Sequence, residues 1–268
     1  MKRVKVAVVQ LCSTEDIPSN LAQAEPLVRA AAADGATLIA LPENAGFLKI
    51  GPDRDPGEPL DGSVIVTRFQ TLAAELNVNI LLGSFHRTSD VEGKVHNTSV
   101  LIDKRGALIA TYDKIHLFDI DVPGTVTFRE SDDIEPGQAP VVADVDGLRL
   151  GMSICYDLRF PELYRRLLDA GAQVIAVPAA FTAQTGKAHW EVLLRARAIE
   201  NQCYLLAPDQ WGIHGGKRHS HGDSMIIDPW GQVIARVPEG IGYACAWLDL
   251  ERVATIRRDL PCGAHRRV

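Results

Sequence analysis

The order of elements along the chain predicts an α/β (α+β) fold: a four-layer αββα sandwich in which helices cover two sheets. Three observations predict it. Apolar runs of strand length alternate with helical stripes from the first residues onward. The second half repeats the element order of the first. Across 268 residues there is no low-complexity linker and no abrupt change of composition, so one domain over 1–268 is expected.

Each element has its own signal. Residues 2–11 form an apolar run and predict a buried strand. Residues 20–34 predict a helix that stops at Gly35, with a kink or a late start because of Pro26. Residues 37–41 predict a strand that ends at Pro42-Glu43-Asn44. A helix is predicted over 65–76 and a strand over 79–85. Strands over 95–102 and 107–112 flank Asp103-Lys-Arg-Gly106, a hairpin signal. A long polar stretch, 114–138, follows; such segments in compact domains are usually functional. Strands over 141–145 and 148–154 meet across Asp146-Gly147, a two-residue turn. Phe160, Leu163, Tyr164, Leu167 and Leu168 make a helical stripe opening at Pro161 and closing at Gly171. The remaining elements are a strand over 173–177, a helix over 189–201, strands over 203–207, 224–228, 232–237 and 243–248, and a short last helix.

Composition removes several function classes. Apolar content of 46% and charged content of 23% are those of an ordinary soluble globular protein. A net charge of −6 argues against a nucleic-acid partner, which needs a clustered basic surface. No apolar run approaches the length that spans a bilayer, and the N-terminus has no secretion signal, so no membrane association is expected. Cys12, Cys155, Cys203, Cys245 and Cys262 are widely spaced and contain no Cys-x-x-Cys pair. A reducing, cytoplasmic compartment fits that pattern.

Cys155 stands on a strand-to-helix elbow, the geometry that presents a nucleophile in α/β hydrolytic enzymes. A buried core cysteine is the competing reading. A thiol nucleophile needs a base and an oxyanion stabiliser. None of the eight histidines is placed so as to identify it as that base. Glu43 and Lys114 also stand at strand ends, so three strand ends deliver Glu43, Lys114 and Cys155 toward one rim. Singly, such a Glu or Lys is more often a solvated surface charge. Together, the ammonium is expected to lower the thiol pKa and hold an oxyanion, and partial burial to raise the glutamate toward neutrality.

Leu41-Pro-Glu-Asn44, Asp113-Lys-Ile-His116 and Ile154-Cys-Tyr-Asp-Leu-Arg-Phe-Pro-Glu162 resemble the three catalytic blocks of the nitrilase superfamily of carbon–nitrogen hydrolases, and the likeness covers nearly the whole chain. The resemblance implies the αββα fold, a homodimer, a small-molecule amide substrate and no metal or organic cofactor. It makes Glu43 the general base, Lys114 the oxyanion stabiliser and Cys155 the nucleophile. Glu130, in Phe128-Arg-Glu-Ser131, matches a supporting glutamate that orients the lysine or the attacking water.

The stretch 178–204 and Ser224-Met-Ile-Ile-Asp-Pro-Trp-Gly231 look like the Nit amidases that split deaminated glutathione into 2-oxoglutarate and cysteinylglycine. The stretch 116–124 and Thr127-Phe-Arg-Glu-Ser131 look also like the ω-amidases that act on 2-oxoglutaramate. Asp223 departs from the pattern, standing where a histidine is expected. The resemblance implies that the Tyr156 N–H helps hold the oxyanion, that Arg159 or Arg195 meets the anionic acyl part, and that Phe181 and Thr182 line the pocket. For the arginines the competing reading is an internal salt bridge such as Glu191–Arg195; for Phe181 and Thr182 it is ordinary packing. A metal held by His219, His221 and Asp223 is a weaker alternative, because Gly, Lys and Arg dominate that loop. An N-carbamoyl or other linear amide hydrolase, or a family-fold binding protein without chemistry, completes the alternatives.

Overall fold

The computed structural model of the protein describes residues 3–51, 55, 57–122, 126–216 and 218–267; Lys2 of the first strand, Pro123-Gly124 of the 116–124 motif and Lys217 of the histidine loop lie outside the described residues. The first half contains β1 (Arg3–Gln10), α1 (Ile17–Ala33), β2 (Leu38–Ala40), α2 (Val64–Leu76), β3 (Asn79–Thr88), β4 (Val95–Ile102) and β5 (Leu108–Asp113). A short hairpin, β6 (Asp119–Val122) and β7 (Val126–Arg129), leads into a 3-10 turn, Glu130–Asp132. Then come β8 (Val141–Val145), β9 (Leu148–Met152), the 3-10 turn Cys155–Arg159, α3 (Pro161–Asp169), β10 (Val174–Ala176), α4 (Ala183–Asn201) and β11 (Tyr204–Ala207). A second hairpin, β12 (Trp211–His214) and β13 (Arg218–His221), precedes β14 (Ser224–Ile227), β15 (Val233–Val237), β16 (Gly242–Asp249) and α5 (Leu250–Asp259).

Two six-stranded sheets form, in the orders β16-β1-β2-β3-β4-β5 and β15-β14-β11-β10-β9-β8. In each, three parallel strands (β1, β2, β3 and β9, β10, β11) are flanked by antiparallel ones. The period-2 alternation of strand side chains decides which layer each residue feeds. Val6, Val8, Leu38, Ala40, Leu81 and Leu101 point to the second sheet and join Leu150, Met152, Val174 and Ala176 in one core. Their neighbours Ala7, Val9, Ile39, Ile80 and Leu82 point the other way, to Val28 of α1 and Phe69 of α2. Helices α3 and α4 cover the outer face of the second sheet through Leu163, Leu167, Trp190 and Leu194. The layers are helix, sheet, sheet, helix.

Several boundaries differ from the sequence expectation. Helix α1 begins before Asn20 because the Asp16 carboxylate caps it by accepting from Ser19 N, and Pro26 sits inside it without ending it. Helix α4 starts at Ala183 rather than near His189. The stretch 114–138 is not structureless but holds β6, β7 and the 130–132 turn. Trp211–His214 and Arg218–His221 form β12 and β13, although 214–223 is expected as a loop. Both missed hairpins have strands of only four residues, too short for a periodicity signal.

The fold brings strand ends of both sheets to one place. The segment after β2 is fixed by the Leu41 N–H donating to Leu81 O. Gly83 of β3 lies beneath it, and a β-carbon there would stand 2.1 Å from Leu41 O and 2.2 Å from Pro42 O. Only a residue without a side chain lets that segment settle. Gly83→Ala is therefore expected to cost about 2–3 kcal/mol, to lower the thermal midpoint by roughly 5–10 °C, and to reduce activity through displacement of Glu43. Calorimetry beside an activity assay checks it.

Candidate active site

Cys155 is held at the end of the β9 segment with φ of 46°, in the left-handed region that a non-glycine residue occupies only at a cost. The surroundings impose it. The Ser153 N–H donates to Ala176 O and the Cys155 N–H to Pro178 O, so the chain is bound to the end of β10 up to the thiol itself. Beyond it the 155–159 turn is tied down by Asp157, a fully buried carboxylate. Asp157 accepts from the Ile154 N–H (2.8 Å), the Tyr112 hydroxyl (2.7 Å), the His116 N–H (3.0 Å) and His116 Nδ1 (2.7 Å). Tyr112 belongs to β5 and His116 follows Lys114, so one carboxylate joins the cysteine turn to the lysine segment. His116 also stacks on Phe160, with ring centroids 3.8 Å apart.

Lys114 is 2% exposed. Its Nζ donates to Glu43 Oε1 (3.1 Å) and to both oxygens of Glu130 (2.9 Å each). Burial opposes its charge, but Glu130, Glu43 and Cys155 together outweigh that and push its pKa above the ordinary lysine value. The ammonium is permanent. Glu130 is held in turn by the Phe118 N–H, 2.6 Å from Oε2.

Glu43 Oε1 also accepts from Asn97 Nδ2 (2.8 Å), and Oε2 accepts from the Ala180 N–H (2.8 Å). The Cys155 thiol lies near the same carboxylate and favours its ionised form. Burial is the largest influence on Glu43 and raises its pKa, but Lys114, Arg218 and the nearby Cys155 thiol overcome it, so the carboxyl titrates below its ordinary value. This corrects the expectation of a glutamate raised toward neutrality. The expected lowering of the thiol pKa is likewise reversed: burial first, then the Glu43 charge, push Cys155 well above the ordinary thiol value despite Lys114. These directions make the resting pair a neutral thiol beside a carboxylate.

Glu43, Lys114, Glu130 and Cys155 line one cavity of about 250 Å³ with Tyr156, Arg159, Phe181, Thr182 and Arg218. Arg159 lies over the rings of Tyr156 and Phe181 (5.8 and 5.3 Å to the centroids). Arg195, expected as a candidate for the substrate carboxylate, is not among the lining residues. Its Nε donates to Gly231 O (2.8 Å) and its Nη1 to Glu191 (3.4 Å), so it ties α4 to the turn after β14, as the competing salt-bridge reading has it. Asp223 does not line the cavity either. Its carboxylate is taken up by Arg236 through Nε (2.5 Å) and Nη2 (2.6 Å). That pairing corrects the metal alternative at His219, His221 and Asp223, since the carboxylate is already engaged; among the described residues no cluster of three ligating side chains occurs.

Sequence reasoning missed four contributors. Asn97 is buried in β4 within the polar run His96-Asn97-Thr98-Ser99, which gives no signal that singles it out. Asp209, fully buried just past β11, accepts from the Phe181 N–H (2.9 Å), and burial without a cation pushes its pKa well up. Arg218 comes from the unexpected hairpin. The Ala180 N–H donor is backbone and has no signature in side chains.

A family model described as carbon–nitrogen hydrolase matches residues 5–258. Deaminated glutathione amidase of Synechocystis is 45% identical over 271 residues, covering 99% of both chains. Among solved structures, the C. elegans NitFhit protein superposes with a TM-score of 0.91 at 38% identity over 99% of this chain, which spans 65% of that protein's length. Saccharomyces cerevisiae Nit3, of branch 10 of the nitrilase superfamily, gives 0.89 at 30% identity, with 100% and 97% of the two chains covered.

Two outcomes are expected from this geometry. Lys114→Met leaves the Glu43 and Glu130 carboxylates buried together without their cation and should cost about 3–5 kcal/mol in urea unfolding, against less than about 1 kcal/mol for removing the surface pair Arg29–Glu75. Because Glu43 titrates lower folded than unfolded, its stabilisation is complete above the unfolded value of about 4.3 and is lost as pH falls through the lower folded value. The stability difference between wild type and Glu43→Gln should be flat at neutral pH and should shrink only below about pH 4.3.

Proposed function

We propose that this chain, which belongs to the carbon–nitrogen hydrolase family, is an amidase that cleaves deaminated glutathione to 2-oxoglutarate and cysteinylglycine through a Cys155 thioester. The observation that carries this is the convergence of a thiol, a carboxylate and a permanent ammonium in one cavity, in a chain matched end to end by a relative bearing that activity's name.

The chemistry follows from the resting proton positions. Cys155 Sγ attacks the amide carbonyl carbon as its proton moves to Glu43. The electron pair displaced onto oxygen is held by Lys114 Nζ and by the Tyr156 N–H, in the first turn of a 3-10 segment where amides lack an intrahelical acceptor. Glu43 gives the proton to the departing nitrogen and the C–N bond breaks, leaving a thioester and cysteinylglycine. Water then attacks the thioester carbon, losing a proton to Glu43. The carbon–sulfur bond breaks, 2-oxoglutarate leaves, and the thiol recovers its proton from Glu43. Glu130 acts by holding Lys114 rather than by meeting the substrate. Arg159, with Phe181 and Thr182 around it, receives the acyl carboxylate.

The chain is read as one hydrolase domain in a reducing, cytoplasmic compartment, consistent with five unpaired cysteines. Among the described residues no helix is long and apolar enough to cross a membrane. A homodimer is consistent with the exposed Val192 and Ile199 of α4 beside exposed Trp230.

Cys155→Ala should abolish turnover with the far-ultraviolet circular dichroism and melting unchanged. In wild type, kcat/KM should be higher for deaminated glutathione than for 2-oxoglutaramate or N-carbamoyl amino acids. A higher value for 2-oxoglutaramate would replace the substrate and keep the mechanism. Full activity in the alanine variant would remove the covalent route.

A further inference from the structure

Five lysines and arginines line the cavity: Lys49, Lys114, Arg129, Arg159 and Arg218. Three have anionic partners. Lys114 lies between Glu43 and Glu130. Lys49 Nζ is 2.6 Å from Asp133. Arg129 acts on Asp119. Arg159 has no carboxylate partner among the described residues and touches aromatic rings and His189 Nδ1 (3.3 Å). Arg218 acts on Glu43 only through its longer-range charge, and its side chain makes no hydrogen bond or close ion pair among the described residues.

Arg218 is nonetheless firmly presented. It lies on β13 opposite His214 of β12. His214 is fully buried, with Nδ1 2.7 Å from Ser13 O and Nε2 2.9 Å from Ser220 Oγ. Ser220 pairs with Thr182, and the His221 N–H donates to Phe181 O (2.8 Å), so the hairpin is fastened to the same wall that supplies Ala180 and Phe181. Thus a half-buried guanidinium faces the reacting groups with Glu43 as a distant counter-charge but with no carboxylate in direct hydrogen-bonded contact, so its donors are left for an incoming carboxylate. Its planar fork suits a carboxylate bidentately.

We propose that Arg218 is the subsite for a carboxylate carried by the leaving amine, so that the cavity accepts an amide with one carboxylate on each side of the scissile bond. This rests on the amidase function proposed above. Arg159, in the turn of the nucleophile, takes the acyl carboxylate; Arg218, on a different element, takes the other. 2-Oxoglutaramate, with a single carboxylate, leaves one of the two guanidiniums unpaired. Deaminated glutathione pairs both.

The test compares 2-oxoglutaryl-cysteinylglycine with the same compound ending in a carboxamide, on wild type, Arg218→Met and Arg218→Lys. Wild type should prefer the carboxylate by roughly 10- to 100-fold in kcat/KM, the range of a charged hydrogen bond. Arg218→Met should bring that ratio to within about threefold of unity, mainly through KM. Arg218→Lys, which keeps the charge but loses the fork, should retain part of the preference. Because Arg218 also helps hold Glu43 ionised, its loss can slow both substrates, and the ratio cancels that effect. A parallel fall in both with the preference intact, accompanied by an upward move of the acid limb of the pH profile, would mean that Arg218 serves only Glu43 and would overturn the subsite. Wild type that hydrolyses neither compound would sink the amidase function itself.

Discussion

The ammonium of Lys114 is the constraint on which the rest of the site depends. It is buried between two carboxylates, 3.1 Å from Glu43 and 2.9 Å from Glu130. Each contact corresponds to about 5 kcal/mol of Coulomb attraction at an effective dielectric of about 20, set against a desolvation cost of several kcal/mol per ion. Such a cluster survives only if every member is held in place. The fold meets this by spreading the restraints over both sheets. Asn97, from the first sheet, holds Glu43 Oε1; Ala180, from the second, holds Oε2; Gln210 Nε2 donates to the Glu43 carbonyl at 3.0 Å. The ion cluster is therefore also a joint between sheets.

Charge counting explains why the thiol rests protonated. Glu43, Lys114 and Glu130 already sum to one negative charge in a dry site. A thiolate would add a second, and burial together with the Glu43 charge raises the Cys155 pKa accordingly. In the proposed mechanism, attack avoids that state. As sulfur bonds to carbon, its proton neutralises Glu43, and the negative charge appears on the carbonyl oxygen within reach of Lys114. The number of charges stays constant while one anion moves. A low-pKa glutamate suits this arrangement, because it must be ionised at rest to accept the proton, and the proton it receives is then readily surrendered to the leaving nitrogen.

The legible parts of the chain were those set by local rules. Strand β4 was found at its observed bounds and the 103–106 hairpin at its place, because apolar runs and turn residues are short-range signals. Glu43, Lys114 and Cys155 could be picked out because each stands at a strand end, and the sheets then bring those ends together. What escaped depended on tertiary context. The Asp16 cap moves the start of α1, and two hairpins with four-residue strands carry no periodicity signal. Arg195 was misplaced because its spacing to Glu191 says nothing about the wall it faces. Asp223 looked like a defect until Arg236, distant by 13 positions, was found to neutralise it. The signs of the Glu43 and Cys155 shifts escaped for the same reason: each is a balance of burial against neighbours that no spacing reveals.

Asp209 shows how that balance sorts two carboxyl groups placed on one wall. Both it and Glu43 are buried, and both accept from the 180–181 backbone, Glu43 from the Ala180 N–H and Asp209 from the Phe181 N–H. Only Glu43 has an ammonium beside it. Burial raises Asp209, Glu43's charge raises it further, and the amide donors do not compensate, so Asp209 titrates well above its ordinary value where Glu43 titrates below its own. An ionised Asp209 would raise the thiol pKa still more. Asp209 anchors the Phe181 amide, and the carboxylate next to Lys114 is the one that the proposed mechanism uses to exchange protons with sulfur. The placement of a single cation thus separates the titration of two like groups, and the lower of the two is the base in the proposed mechanism.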